Sequence, residues 1–369
     1  MNYLLPFLVL ITVVVFIHEY GHYYFAKKYG VGITDFSIGF GKEIFGWKDK
    51  SGTRWKICWI PLGGYVKFFG DRNVYSQSEQ KEIINNYKEE DREKLFILKP
   101  LYQRSIIVAA GPLANFVLAI IIFSIINMFV GKDITPAIIE EIQKNSPAYD
   151  AGFKKGDKII SIDNHKVQSI LEVSTFINVS TSEKIKFILL RNEQEISLMV
   201  KPNLIDSKDS LGNSVKKRMI GIKLSTPYNN EFKKQPLTPS KAVYSAFKEV
   251  WFVTTTSLNY LGKLALGKGD SSQLGGPIRI AKITGQVAEY GIIPFLSIMA
   301  YISISLGLIN LFPIPMLDGG HLMFYLFEKI LGRPLNQRIQ ESFFRIGLFL
   351  LLSLMFFATF NDLKDLGLF

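Results

Sequence analysis

Long uncharged stretches alternate with polar ones along the chain, and four of them dominate the pattern. Met1 to Ile17 carries no charge and runs into His18. Ser105 to Gly131 lies between Arg104 and Lys132, Tyr290 to Leu317 between Glu289 and Asp318, and Ile346 to Phe360 between Arg345 and Asp362. A helix needs about 20 mainly apolar residues to cross the hydrocarbon core of a bilayer. The second and third stretches meet that length alone. The first meets it if its helix runs on through His18 to about Ala26, and the last if Arg345 snorkels to the headgroups. The pattern therefore predicts four spanning helices. A fifth apolar stretch, Val250 to Gly262, is short and rich in Thr, and predicts an amphipathic or interfacial helix. The opening block has neither a basic leading region nor a small-residue cleavage site, so it is expected to be a span and not a signal peptide.

Between the blocks the period changes. Gly30 to Gly70 is rich in Gly, aromatic and β-branched residues, and Arg54 to Ile60 alternates charged with apolar positions, the pattern of a half-buried strand. Hairpins next to the membrane are expected there, followed by a polar, solvated helical surface over 71–99. Residues 132 to about 205 read as a small α+β domain. Asn145-Ser146-Pro147-Ala148 offers a helix start with an early proline, Lys154-Lys155-Gly156-Asp157 a turn, and Lys158 to Ile162 a strand. That order resembles a PDZ domain, a module that binds peptides by adding a strand to a sheet edge. Pro202 to Pro239 leaves too little chain for a second copy.

Composition narrows the class. The 369 residues include 43 Lys and Arg against 32 Asp and Glu, a net charge of +11, yet charged residues are only 20% of the chain and hydrophobic ones 48%. An average soluble domain has about 25% charged residues. The basic residues are scattered between apolar blocks without forming a clustered face, so no nucleic-acid partner is expected; the expected surroundings are a lipid bilayer. A single cysteine, Cys58, excludes an intrachain disulfide and a multi-thiolate zinc knuckle. Lys27, Lys28, Lys99 and Arg104 flank the first two spans on one side, and Lys329, Arg333 and Arg338 lie between the last two. By the positive-inside rule that side is cytoplasmic, which makes the segment of roughly 132–290 extracytoplasmic.

The candidate chemistry lies at the end of the first block. His18-Glu19-Tyr20-Gly21-His22 is an H-E-x-x-H sequence. On a helix its two imidazoles share a face, suited to two corners of a tetrahedral zinc site, and Glu19 stands beside them as a proton acceptor for an activated water. Ionisable groups inside a membrane helix are costly and mark function. A third ligand must reach the same depth. From Tyr3 to His18 is about 22 Å of helix, and from Ile292 to Asn310 about 27 Å. Pro313 and Pro315 then break the third helix, which lets Asp318 fold back level with His18; His321 is the alternative ligand.

These motifs, with Ser37 to Lys42, Pro61 to Lys67, Gly111 to Phe116, Asn310 to Gly319 and Gly275-Gly276-Pro277-Ile278, resemble the site-2 protease family of intramembrane zinc metalloproteases, in its bacterial regulated-intramembrane-proteolysis branch with one PDZ domain. The resemblance implies a polytopic α-helical membrane protein of the bacterial inner membrane, with about four transmembrane helices, a membrane-associated β-hairpin region and an extracytoplasmic α+β PDZ domain. Its expected parts are a first catalytic half (1–131), the PDZ domain (132–205), an interfacial connector with the amphipathic helix (206–289) and a second catalytic half (290–369). It implies one zinc per chain held by His18, His22 and Asp318 near the cytoplasmic side, with Glu19 as general base. Asn310, Gly63, Gly64 and Tyr65 are implied as substrate contacts. The implied substrates are single-pass membrane proteins, such as anti-sigma factors and remnant signal peptides, cut within or near their transmembrane segment. A peptide or protein ligand at the PDZ domain goes with them.

Overall fold

The computed structural model describes residues 3–69, 88–180, 182–208, 214–225, 233–267 and 274–365. The elements up to the third long loop are α1 (Leu4–Lys28), β1 (Ile33–Lys48), β2 (Arg54–Phe68), α2 (Glu89–Arg92) and α3 (Leu101–Phe129). Then come β3 (Lys132–Asp133), β4 (Ile139–Ile142), α4 (Pro147–Asp150), β5 (Lys158–Ile162), β6 (His165–Lys166), α5 (Ile170–Val179), β7 (Ile185–Arg191), β8 (Gln194–Val200), β9 (Asn203–Lys208), β10 (Ser214–Met219), β11 (Ile222–Leu224) and β12 (Lys234–Gln235). The remaining helices are α6 (Pro239–Ala265), α7 (Pro277–Glu289), α8 (Ile292–Asn310), α9 (Asp318–Leu331) and α10 (Gln337–Asp365). Four helices are long and apolar enough to cross a membrane: α1, α3, α8 and Arg338–Lys364 of α10. They coincide with the four uncharged blocks. The chain divides into two compact units, one formed by 1–122 with 274–369 and the other by 123–273.

In the first unit, α1 runs beyond His22 to Lys28 because nothing in its sequence breaks it, and two lysines close its last turn, where cations suit the helix dipole. Strands β1 and β2 form a single antiparallel hairpin with an irregular register. Its inner segment is paired on both sides: Phe36 pairs with Val66 and with Trp55, and Ser37 with Tyr65 and with Lys56. Among the described residues, Gly64–Phe68 pairs on one side only and forms a sheet edge beside α1. The hairpin turn is tied to α1 through Asp49, which accepts from the N–H groups of Ser51 (2.9 Å) and Thr53 (3.0 Å) and from Tyr23 Oη (2.9 Å). Residues 70–87, most of the stretch expected as a solvated helical surface, lie outside the described residues. The following segment departs from that expectation: Leu95 is fully buried and Phe96 stacks on Phe68 at 4.7 Å between ring centroids.

At the other end of this unit, α7 packs on α1, with Thr284 buried and Gly285 against Tyr3. The expected connector of 206–289 thus divides differently, with α7 beside the first span. The Gly275-Gly276-Pro277-Ile278 run is explained by Asp362 of α10. Its buried carboxylate accepts the N–H groups of Gly276 (2.8 Å), Ile278 (3.0 Å) and Arg279 (3.0 Å), the orphan donors at the start of α7. Asp362, the charge that bounds the last uncharged block, is 2% exposed. Arg104 of α3 makes a two-pronged ion pair with Glu328 of α9, with Nη2–Oε1 at 2.5 Å and Nη1–Oε2 at 3.2 Å.

The second unit is built on a four-stranded sheet in the order β6-β5-β7-β8. Alternation in Ile185–Arg191 puts Ile185, Phe187 and Leu189 in a core with Ile159, Ile162, Val173 and Ile177. The Gly156-Asp157 turn is secured by Asp157, which accepts from Lys154 N (2.8 Å), Arg191 Nε (2.7 Å) and Arg191 Nη2 (2.7 Å). Pairing runs on past residue 205, where the small domain is expected to end: that residue lies inside β9, β9 pairs with β10, β11 pairs with β4, and Ile220, just before β11, joins the core. The stretch Val250 to Gly262 is helical, as expected, but belongs to the longer α6, whose buried stripe is Ala242, Ala246 and Val250.

Candidate metal centre

One helical turn separates His18 and His22, so both rings leave the same face of α1. They lie edge to face at 4.9 Å between ring centroids, with Nε2 to Nε2 at 3.3 Å. Both residues are buried. The third side chain comes from the far end of the sequence. Helix α8 ends at Asn310; the chain turns through Pro313 and Pro315, with Met316 at φ 92°, and Asp318 opens α9. The turn is held tight by glycine: a Cβ on Gly319 would overlap the carbonyls of Leu311 and Phe312, and one on Gly320 would meet Pro315 Cα at 2.7 Å. Asp318 Oδ2 lies 3.1 Å from His18 Nε2, and its Oδ1 3.5 Å from His22 Nε2.

The donor set fits zinc. Nitrogen and oxygen ligands at about 2.0–2.1 Å and tetrahedral angles stand roughly 3.3 Å from one another. The three spacings here are 3.1, 3.3 and 3.5 Å. His18, His22 and Asp318 form a group able to hold a metal ion. Two imidazoles and a carboxylate also leave a tetrahedral ion one open position, the mark of a catalytic site. The tautomer of His22 suits the role: Nδ1 donates to the Ile107 carbonyl at 2.9 Å, so Nε2 keeps its lone pair. His321, the alternative ligand, lines the same cavity but stays outside the group, with its ring 5.7 Å from that of Phe344.

The donors sit in the wall of a cavity of about 600 Å³. Every site residue expected from the sequence lines it: His18, Glu19, His22, Gly63, Gly64, Tyr65, Asn310 and Asp318. Glu19 and Val66 line the cavity together, which sets the base candidate beside the sheet edge. Gly64 lets that edge come close, since a Cβ there would touch Glu19 Cγ at 3.0 Å and the Ser37 carbonyl at 2.7 Å. Asn310 Nδ2 lies 3.4 Å from His18 Nε2. Apolar side chains, among them Phe40, Ile97, Leu306 and Phe344, complete the walls. Asn115, inside the Gly111 to Phe116 motif, has no part in the site expected from the sequence. The structure puts Asn115 fully buried against His18, with Nδ2 3.4 Å from Nδ1. A polar amide in an otherwise apolar spanning block was the signal available.

Comparison with known proteins agrees with this geometry. Residues 6–354 match peptidase family M50. A protein of Agrobacterium fabrum named for zinc metalloprotease activity is 42% identical over 365 residues, covering 99% of this chain and 96% of its own. A similarly named protein of Mesorhizobium japonicum is 40% identical over 364 residues, covering 98% of each. The metalloprotease MmpA of Caulobacter vibrioides is 35% identical over 388 residues, covering 99% of this chain and 96% of its own. Among solved structures, the PDZ domain of an SdrC-like protein of Listeria monocytogenes aligns at a TM-score of 0.20 and 21% identity, covering 25% of this chain and 90% of that one. The class is therefore a zinc metalloprotease, in a chain whose four apolar helices mark a membrane protein. This chain belongs to peptidase family M50, the site-2 proteases.

Proposed function

We propose that the protein hydrolyses a peptide bond within or near the transmembrane segment of single-pass membrane proteins, with anti-sigma factors and remnant signal peptides as the substrate types. One observation carries this reading: three donors at zinc spacing share a cavity wall with Glu19 and with a sheet edge that, among the described residues, pairs on one side only. His18, His22 and Asp318 hold one zinc ion per chain. Bound there, zinc supplies a Lewis acid that polarises the scissile carbonyl and lowers the pKa of water towards neutrality. Glu19, beside the Gly64 edge, takes the proton from the attacking water and passes it to the leaving amine. Asn310, beside His18, contacts the substrate backbone or the developing oxyanion.

A helical substrate hides its amides and must unwind before attack. Each backbone group left unpaired in lipid costs several kcal/mol. The edge formed by Gly63, Gly64 and Tyr65 offsets that cost by taking the unwound segment as an added strand. Scattered basic residues between the spans support a site facing the cytoplasmic side of the inner membrane. The unit of 123–273 then lies outside, with its small sheet domain available to a peptide or protein ligand.

The experiment is direct. The protein is purified in detergent with a tagged single-span substrate, and Glu19→Gln is compared with wild type. Zinc content should be retained while cleavage falls by about 10²-fold or more, the usual contribution of a positioned base. Undiminished cleavage by Glu19→Gln would remove Glu19 from the mechanism.

A further inference from the structure

The two histidines are held by different partners on the side away from the donor cluster. For His22 the partner is a backbone carbonyl, Ile107 O, which can only accept and so requires a proton on Nδ1. For His18 it is the carboxamide of Asn115. That residue is fully buried, and its backbone carbonyl accepts from Ser303 Oγ at 2.9 Å, which anchors this point of α3 to α8. With Nδ2 facing the ring, the amide would donate to Nδ1, and the imidazole proton would sit on Nε2, the atom 3.1 Å from Asp318. A proton there blocks the lone pair that a metal needs. The same arrangement leaves Asn115 Oδ1 buried and without a hydrogen-bond partner among the described residues. The oxygen and nitrogen of an amide occupy nearly the same volume, and a half turn about its last bond exchanges them. Turned over, Oδ1 accepts from Nδ1–H, gains a partner, and leaves Nε2 bare towards His22 and Asp318.

We propose that Asn115 is a positioning residue that holds His18 in the Nδ1–H tautomer through its carboxamide oxygen, as the Ile107 carbonyl does for His22. The proposal rests on the reading of His18 as a metal ligand. Both imidazoles then present Nε2 to the ion with their protons committed elsewhere, and the ring planes are fixed before any metal arrives. The partners behind ligating histidines typically change metal affinity 10–100-fold when removed.

The test uses the full chain in detergent, with zinc affinity measured by competition against a chromophoric chelator and melting temperature followed in parallel. Asn115→Leu keeps the volume and removes the acceptor, and should weaken zinc about 10–100-fold. Asn115→Asp keeps an acceptor and should stay within about threefold of wild type, as should Ser303→Ala, which disturbs the same helix contact but leaves the carboxamide. A folded leucine variant with wild-type affinity would overturn the proposal, provided His18→Ala has lost zinc. A folded aspartate variant that binds about tenfold or more weakly would overturn it too, and that result is readable even if the leucine variant does not fold. Zinc held by His18→Ala as tightly as by wild type would instead sink the ligand reading beneath it.

Discussion

Gly111 offers a sharp test of how closely helix packing controls the centre. It sits on α3 opposite the His22 ring. A Cβ built there would lie 2.5 Å from His22 Cε1 and 2.8 Å from Cδ2, and closer still to Nε2. Ordinary contact begins near 3.4 Å, so Gly111→Ala must drive the ring back by about 1 Å. The ring has little freedom to yield in place, because its Nδ1–H is bound to Ile107 O at 2.9 Å, in the turn of α3 that precedes Gly111. Giving up that bond leaves a buried donor unpaired and costs about 1–3 kcal/mol. Against it stands the helix propensity of alanine, which favours the variant by about 1 kcal/mol. The balance is a loss of about 0–2 kcal/mol, so the variant should fold with a modestly lower melting temperature. Activity has no such offset, since a 1 Å misplacement of a catalytic group costs about 10²-fold. Cleavage of a tagged single-span substrate in detergent should therefore fall by about two orders of magnitude, with the far-ultraviolet circular dichroism unchanged. Wild-type cleavage by a folded Gly111→Ala protein would show that the His22 position is not set by this contact.

Two further outcomes concern stability. Asp362→Ala leaves three N–H groups at the start of α7 without their acceptor, one of them buried and two partly buried, and should cost about 1–3 kcal/mol, seen as a lower melting temperature in detergent while the isolated metal affinity of the folded fraction is kept. In the second unit, burial acts to raise the Asp157 carboxyl, but hydrogen bonds from Arg191 and from the Lys154 N–H outweigh it and hold the group below its ordinary value. A carboxyl depressed on folding stabilises fully above its unfolded value of about 3.9 and loses that contribution as pH falls through the folded value. Acidifying the full chain from pH 5 towards 3 should lower the hydrogen-exchange protection factors of the β5 and β7 amides, taken relative to intrinsic rates at each pH, and Asp157→Asn should already show lower protection at pH 5 with a weaker response to acid; equal acid responses in the two proteins would exclude this carboxylate as the source.

What the sequence disclosed follows from how far each signal reaches. Charge-free blocks and the H-E-x-x-H spacing are local, and both α1 and its two histidines stand where the pattern puts them. Asp318 was legible because two prolines close together force the break that returns the chain to the level of His18. The pairing of β4 with β11 was not, because strand partners distant in sequence leave no periodic trace in either one, and so the small sheet extends past residue 205. The role of Asp362 was hidden for a related reason: in sequence it only bounds an apolar block, and the start of α7, packed against it, makes the carboxylate an acceptor for three backbone donors. Asn115 was not legible as a site residue, since an amide among apolar residues does not announce which ring it faces.

The turn before α9 leaves one more consequence. Asp318 is located by glycines pressed against peptide oxygens of Leu311, Phe312 and Ile314, so the clamp is main chain against main chain. Side chains in that loop are thereby released from the task of aiming the carboxylate. Leu311, Phe312 and Ile314 can drift in size or be redesigned, reshaping the neighbouring surface while the acid stays put, whereas a single methyl at Gly319 or Gly320 would shift it.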